Sequence, residues 1–144
     1  MLFILQGMSQ SIETVIQKGH ELSVLTVAVS PDSNYVASGS RDKSAKLWEL
    51  STGREVRSFL GHQASVSCMD FNSDGKYLAT GSRDKSAKVW EVATGKEILS
   101  VKLEPEWYTS NEEVINDIAF DPKGKYFVTL GQMVRVWEFP SKKR

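Results

Sequence analysis

The sequence predicts an all-β fold built from repeated, four-stranded antiparallel sheets. Three features predict it: a motif that recurs along the chain, short β-rich segments separated by turn residues, and the lack of any segment with the periodicity of an amphipathic helix. The repeat is regular, because the offset from His20 to His62 and from Trp48 to Trp90 is 42 residues. The sequence GSRDKSAK also occurs twice, at 39–46 and 81–88.

Each unit divides into four predicted strands. In the first unit these are residues 24–30, 35–40, 44–50 and 55–59. The connections between them are too short for parallel crossovers, which need about a dozen residues or more, so the strands form an antiparallel meander. A third, more divergent unit ends in Trp137, 47 residues after Trp90. One such sheet cannot bury both of its faces, and the units are therefore predicted to stack face to face.

These units resemble the WD40-repeat family. The resemblance rests on a period in the low forties, a Gly-His pair near the start of units one and two, and a Trp followed by an acidic residue near the end of each unit. The resemblance implies three β-propeller blades in one WD40-repeat domain over 1–144. It comprises an outer strand at 13–18 and repeats at 19–60, 61–103 and 104–139. Glu follows each Trp, where Asp is commoner in the family.

Three blades pose a closure problem, because propellers usually have about four to eight. The sequence aligns residues 13–17 with the outer strand of unit one, while unit three lacks an outer strand of its own. In the family, an N-terminal strand typically completes the last blade. We therefore predict a homodimer that closes a six-bladed ring by strand exchange, residues 13–17 pairing with the partner's 134–139. The alternative is that the chain is a fragment of a larger propeller.

Units one and two contain the residue types of a Ser-His-Asp triad. The resemblance instead implies a structural tetrad, in which the turn Asp bonds His, His bonds a strand hydroxyl and the hydroxyl bonds the Trp indole. The predicted tetrad residues are His20, Ser38, Asp42, Trp48, His62, Thr80, Asp84, Trp90, Thr129 and Trp137. No catalytic residue is predicted, since the chain contains no nucleophile elbow.

Composition and motifs exclude several other functions. The chain has 18 basic and 18 acidic residues, which disfavours nucleic acid and anionic membranes as partners. The single cysteine, Cys68, is predicted to lie in the core of a cytoplasmic protein, and with two His it supplies too few ligands for zinc. Residues 70–75 copy half of a calcium loop, but Gly81 stands where the bidentate Glu is required. No metal or other cofactor is predicted.

The predicted function is a non-catalytic scaffold that presents loops on one propeller face to protein partners. Arg41, Arg83, Trp107 and Tyr108 are the predicted protein-binding residues, because Arg and aromatic side chains are enriched at interface hot spots. Two alternatives stay open: a propeller with an enzymatic or ligand-binding site in its channel, and a purely self-assembling unit. Glu113 and its neighbours in the 104–113 insertion are predicted to be solvated surface.

Overall fold

The computed structural model describes residues 2–4, 13–15, 19–104 and 113–140 of the 144-residue chain. The described residues form β-strands and contain no helix, and hence none long and apolar enough to cross a membrane. In chain order the strands are β1 Leu2–Ile4, β2 Glu13–Val15, β3 Val24–Val29, β4 Tyr35–Ser40, β5 Ala45–Glu49, β6 Glu55–Phe59, β7 Val66–Phe71, β8 Tyr77–Ser82, β9 Ser86–Glu91, β10 Glu97–Lys102, β11 Asp117–Phe120, β12 Tyr126–Leu130 and β13 Val134–Glu138.

Three antiparallel meanders make up the body of the molecule. Blade 1 contains β3 to β6, blade 2 contains β7 to β10, and blade 3 contains β11 to β13, each with its strands side by side in chain order. The strands are labelled a, b, c and d within each blade. The predicted all-β fold of stacked antiparallel blades is confirmed, and the strand bounds of unit one agree with the prediction to within one residue.

The a–b turns follow the local turn chemistry of their sequences. In blade 1 the Ser30 hydroxyl donates to Asp32 and accepts the Tyr35 N–H at 2.9 Å. In blade 2, Gly75 takes the left-handed conformation (φ 71°) that a glycine adopts without steric cost. Residues 70–75, which copy part of a calcium loop, therefore lie at the end of β7 and in this hairpin turn.

Two apolar clusters hold the blades together face to face. The first joins blades 1 and 2 and consists of Ala37, Ala45, Leu47, Phe59, Val66, Met69, Phe71, Leu78 and Trp90. The second joins blades 2 and 3 and consists of Cys68, Ala79, Ala87, Val89, Leu103, Ile115, Ile118, Phe127 and Phe139. The blades approach closely at glycine, because a Cβ on Gly39 would lie 2.7 Å from the Val66 side chain. Cys68 lies in the second cluster, as predicted.

Polar contacts also cross both junctions. Arg57 of blade 1 donates through Nη1 and Nη2 to the carbonyls of Thr94 and Ala93 in the c–d turn of blade 2, at 2.9 and 2.7 Å. Asp70 of blade 2 accepts the N–H of Phe120 in blade 3 at 2.8 Å. Neighbouring blades are thus joined by hydrogen bonds between side chains and backbone as well as by apolar packing.

Two features differ from the prediction of three four-stranded blades. Blade 3 has three strands among the described residues, and Pro140 follows its last strand, where a proline cannot donate to a further ladder. The β2 strand occurs within the predicted outer strand at 13–18, but it pairs with β1 of the same chain, Phe3 opposite Thr14. Exchange of residues 13–17 onto β13 of a second copy stays a prediction.

Candidate functional site

The predicted tetrad residues meet at the b–c end of blades 1 and 2. In blade 1, His20 Nδ1 lies 2.8 Å from Asp42 Oδ2, and His20 Nε2 lies 2.7 Å from Ser38 Oγ. The Trp48 indole N–H donates to the same Ser38 oxygen at 2.8 Å. The network therefore ties the entry segment, the b strand, the b–c turn and the c strand of one blade together.

Blade 2 repeats this arrangement with Thr in place of Ser. His62 Nδ1 lies 2.9 Å from Asp84 Oδ2, and His62 Nε2 lies 2.8 Å from Thr80 Oγ1, which accepts the Trp90 indole N–H at 2.9 Å. Because the Thr80 hydroxyl accepts the indole N–H, it can donate its own proton to His62 Nε2. Nδ1–H then donates to the carboxylate, so that each group in the chain has a partner of the right kind.

The geometry opposes a nucleophilic role for the hydroxyls. Thr80 is fully buried and His62 is 5% exposed, so a substrate cannot approach the Thr80 oxygen without opening the blade. One acceptor site of that oxygen is also occupied by the Trp90 indole. A triad nucleophile must instead face a substrate and have its oxyanion donors nearby.

Serines beside the turn Asp extend the network beyond the predicted residues. Ser44 donates to Asp42 Oδ1 from its backbone N–H at 2.9 Å and from its hydroxyl at 2.6 Å, and Ser86 makes the same pair of bonds to Asp84. The sequence carries a signal for this role, because both serines lie inside the duplicated GSRDKSAK segment. These bonds also hold the turns in which Lys43 and Lys85 adopt left-handed φ values of 73° and 70°.

Blade 3 keeps only half of the tetrad and adds an ion pair. Trp137 donates its indole N–H to Thr129 Oγ1 at 2.9 Å, as the sequence predicts. Glu113, predicted to be solvated, is instead 3% exposed and accepts both terminal nitrogens of Arg135. Glu113 precedes the blade and Arg135 lies on its c strand, so the pair joins the entry segment to the c strand, whereas the His-Asp contact of blades 1 and 2 joins the entry segment to the b–c turn.

The turn carboxylates are strongly stabilised in their charged form. Burial raises the pKa of Asp42, but the hydrogen bonds from Ser44, His20 and the Glu21 N–H outweigh it and lower the pKa to about 2. Burial likewise opposes the larger effect of His62, Ser86 and the Gln63 N–H, which lower the pKa of Asp84. By contrast, burial followed by the charge of Asp117 raises the pKa of the Cys68 thiol to about 12, which leaves it unreactive.

The lowered carboxyl pKa values predict acid sensitivity. An Asp has a pKa of about 3.9 in an unfolded chain, so the contribution of Asp42 to stability is complete above that pH and is lost as the pH falls through its folded value. We expect the free energy of unfolding to decrease by about 2 kcal/mol on this account between about pH 5 and about pH 2. Denaturant titrations across that range should have a smaller slope with pH in Asp42→Asn. An unchanged slope would contradict the prediction.

The predicted protein-binding residues are only partly described. Arg41 and Arg83 are exposed on the b–c turns of adjacent blades, each with its backbone N–H bonded to a carbonyl of the entry loop, Ser23 or Ser65, at 3.0 Å. Within the described part of the chain, neither guanidinium has a hydrogen-bonded or ion-paired partner. Trp107 and Tyr108 lie outside the described residues. The described ranges contain no cluster of side chains that could hold a metal ion.

Comparisons with known proteins agree with this architecture. The family model described as "WD domain, G-beta repeat" matches residues 10–49 and 53–91. The ribosome biogenesis protein BOP1 homologue of Drosophila virilis is 44% identical over 48 residues, which cover 33% of this chain and 6% of the relative. The homologue of Drosophila ananassae matches equally, and that of Drosophila grimshawi is 42% identical over the same lengths. The chain thus spans about 6% of the length of these curated relatives.

Proposed function

Since the chain belongs to the WD40-repeat family, we propose that it is a non-catalytic interaction module that binds protein partners on its b–c rim. We define this rim by the b–c turns and the entry loops that precede each blade. One observation carries the proposal: the exposed side chains of Arg41 and Arg83 have no partner among the described residues, and they stand on two turns of identical sequence whose backbone is held by hydrogen bonds to the turn Asp. A rigid turn bearing an Arg loses little conformational entropy on binding. Trp107 and Tyr108 are proposed as further contacts.

The turn Asp residues leave the rim arginines available. Asp42 and Asp84 are the nearest acidic residues in sequence, but their carboxylates face inward and accept four bonds each from His, Ser and backbone groups. An arginine whose neighbouring carboxylate is already engaged can be used by a partner without first breaking an ion pair. This arrangement supports Arg41 and Arg83 as hot-spot residues.

Two copies assembled in one six-bladed ring remain part of the proposal, with strand exchange through residues 13–17. The similarity to ribosome biogenesis proteins supports ribosome biogenesis as the process in which the partners act. The comparisons support neither the homodimer nor a cytoplasmic location, because they name no assembly and no compartment. A channel-site enzyme is the second candidate, but no cluster of catalytic groups among the described residues supports it.

Partner capture tests the rim. The immobilised chain should retain a set of proteins from a cell extract, and Arg41→Glu with Arg83→Glu should lower their recovery at least about tenfold, since about 1.4 kcal/mol at a hot spot suffices. The melting temperature should stay within a degree or two, because exposed substitutions change stability by about 0.5 kcal/mol or less.

A matched control is available on the opposite rim. Lys76 and Lys123 lie in a–b turns and are exposed, so Lys76→Glu with Lys123→Glu makes the same charge change away from the proposed surface. Equal loss of capture in both double variants would indicate a general charge effect and sink the rim assignment. Loss of capture together with a lower melting temperature in the arginine variant would mean that the arginines stabilise the fold.

A further inference from the structure

Blade 1 leaves open the sheet face that blade 2 uses for packing. Val27 on this face is 65% exposed, whereas Met69, its counterpart 42 residues later, is 8% exposed in the junction with blade 1. The open face of blade 1 consists of Val24, Val27, Val29, Val36 and Trp48, and its buried counterparts in blade 2 are Val66, Met69, Phe71, Leu78 and Trp90. A groove of about 390 Å³ runs over the open face.

Blade 3 leaves open its other sheet face, the one that blades 1 and 2 pack against the blade that follows them. Val136 precedes the tetrad Trp of blade 3 as Val89 does in blade 2, yet Val136 is 64% exposed and Val89 is fully buried. Strand register gives the full correspondence. The open face of blade 3 consists of Val128, Leu130, Val134 and Val136, and the counterparts covered by the next blade are Ala37, Gly39, Ala45 and Leu47 in blade 1 and Ala79, Gly81, Ala87 and Val89 in blade 2.

The side-chain volumes of the two open faces are complementary. Val27, Val29 and Val36 are smaller than the residues at the same places in blade 2, which are Met69, Phe71 and Leu78. Val128, Leu130 and Val134 are larger than the residues at the same places in blade 1, which are Ala37, Gly39 and Ala45. Packing tolerates such exchanges when the total volume at a junction is kept. The open face of blade 1 thus has less side-chain volume than its counterpart in blade 2, and the open face of blade 3 has more than its counterpart in blade 1.

We infer that the open face of blade 1 is covered by the open face of blade 3 from a second copy of this chain. The occupant follows from continuity with the blade–blade junctions: the same stacking that places blade 2 on blade 1 would place blade 1 on a further blade with a blade 3 face. Two such contacts close six blades about a two-fold axis. The inference rests on the proposed two-chain ring and names its interface.

The position of β2 agrees with this junction. The β6 strand is the outer strand of blade 1 and begins seven residues before His62 of blade 2, and β2 likewise begins seven residues before His20 of blade 1. If blade 3 of a second copy covers blade 1, β2 therefore lies beside that copy's blade 3. The c strand of blade 3, β13, has no outer neighbour among the described residues. The face contact and the strand exchange would then form at the same junction between the two copies.

Disulfide trapping tests the contact. Gly39 meets Val66 inside the chain, so their counterparts Leu130 and Val24 should meet between copies, within reach of a disulfide. Both positions are exposed, and the buried Cys68 need not be replaced. Under oxidation, Val24→Cys alone and Leu130→Cys alone should stay uncrosslinked, whereas their mixture should give a species of twice 16.1 kDa. A double variant that forms a ladder of polymers would overturn the closed ring.

Light scattering separates failure of the interface from failure of the ring. At micromolar concentration we expect twice the mass of one chain, and Val27→Glu or Val136→Glu should weaken the dimer at least about a hundredfold by burying an unpaired charge. Val56→Glu, on the exposed β6 strand, is the control and should leave the mass unchanged. A monomeric wild-type chain would overturn both the ring and its interface. A dimer insensitive to Val27→Glu and Val136→Glu would overturn the interface alone.

Discussion

Replacing Arg135 by leucine should lower the free energy of unfolding by about 3 to 5 kcal/mol. The substitution leaves the Glu113 carboxylate, whose side chain is 3% exposed, without the two guanidinium nitrogens that it accepts. An unpaired buried charge costs more than the pair contributed. The double variant Glu113→Met with Arg135→Leu should therefore recover most of the loss.

Lys88 provides a matched control for this experiment. It precedes Trp90 by two residues as Arg135 precedes Trp137, and it pairs with Glu97 at 2.9 Å, but the Glu97 side chain is 38% exposed. Removal of a solvated pair costs about 0 to 1 kcal/mol. Chemical unfolding of Lys88→Leu and Arg135→Leu should differ accordingly. Equal losses in the two variants would mean that the Glu113 pair contributes no more than a surface contact.

The tetrad could be predicted because its members recur at fixed spacing. His20 and His62 share one offset with Trp48 and Trp90, so the local sequence of either blade predicts the contacts of both. Hydrogen bonds within a blade depend on turn type and strand register, which the residues of that blade determine. Ser44 and its counterpart in blade 2 could have been predicted in the same way, since they lie in the duplicated segment.

The Glu113 pair could not be predicted in this way. In blades 1 and 2 the equivalent c-strand lysine pairs with a glutamate nine residues later on the d strand. Blade 3 has no described d strand, and Arg135 instead reaches back to the entry segment. Only the three-dimensional path of residues 113–116 brings the two charges together, and nothing in the sequence distinguishes Glu113 from its acidic neighbours in the insertion.

The open faces of blades 1 and 3 could be predicted from the sequence only in part. Alternation along β3 and β13 predicts that one side of each strand is apolar, but it does not say which neighbour covers that side. The register of each blade supplies the missing link, because it equates Val136 with Leu47 and Val27 with Met69. The volume match between the open faces becomes visible only after that step.

Asp84→Ala should lower the free energy of unfolding by about 1 to 3 kcal/mol, near the upper end of that range. The carboxylate accepts four bonds: from His62 Nδ1 at 2.9 Å, from the Gln63 N–H at 2.8 Å, and from the Ser86 N–H and hydroxyl at 2.8 and 2.5 Å. Alanine removes every acceptor and leaves donors unsatisfied beside the buried His62 ring. A donor that loses its partner without regaining water costs its full desolvation.

Asp74→Ala in the a–b turn of the same blade is the control, because Asp74 also accepts hydrogen bonds but is half exposed, and water can replace the lost acceptor. Its cost should stay within about 1 kcal/mol. Urea unfolding of both variants gives the comparison, and a hydrolase assay on the folded proteins tests the competing triad. If Asp84→Ala kept wild-type stability and abolished a hydrolytic activity, the Asp-His-Thr set of blade 2 would be catalytic and its structural assignment wrong.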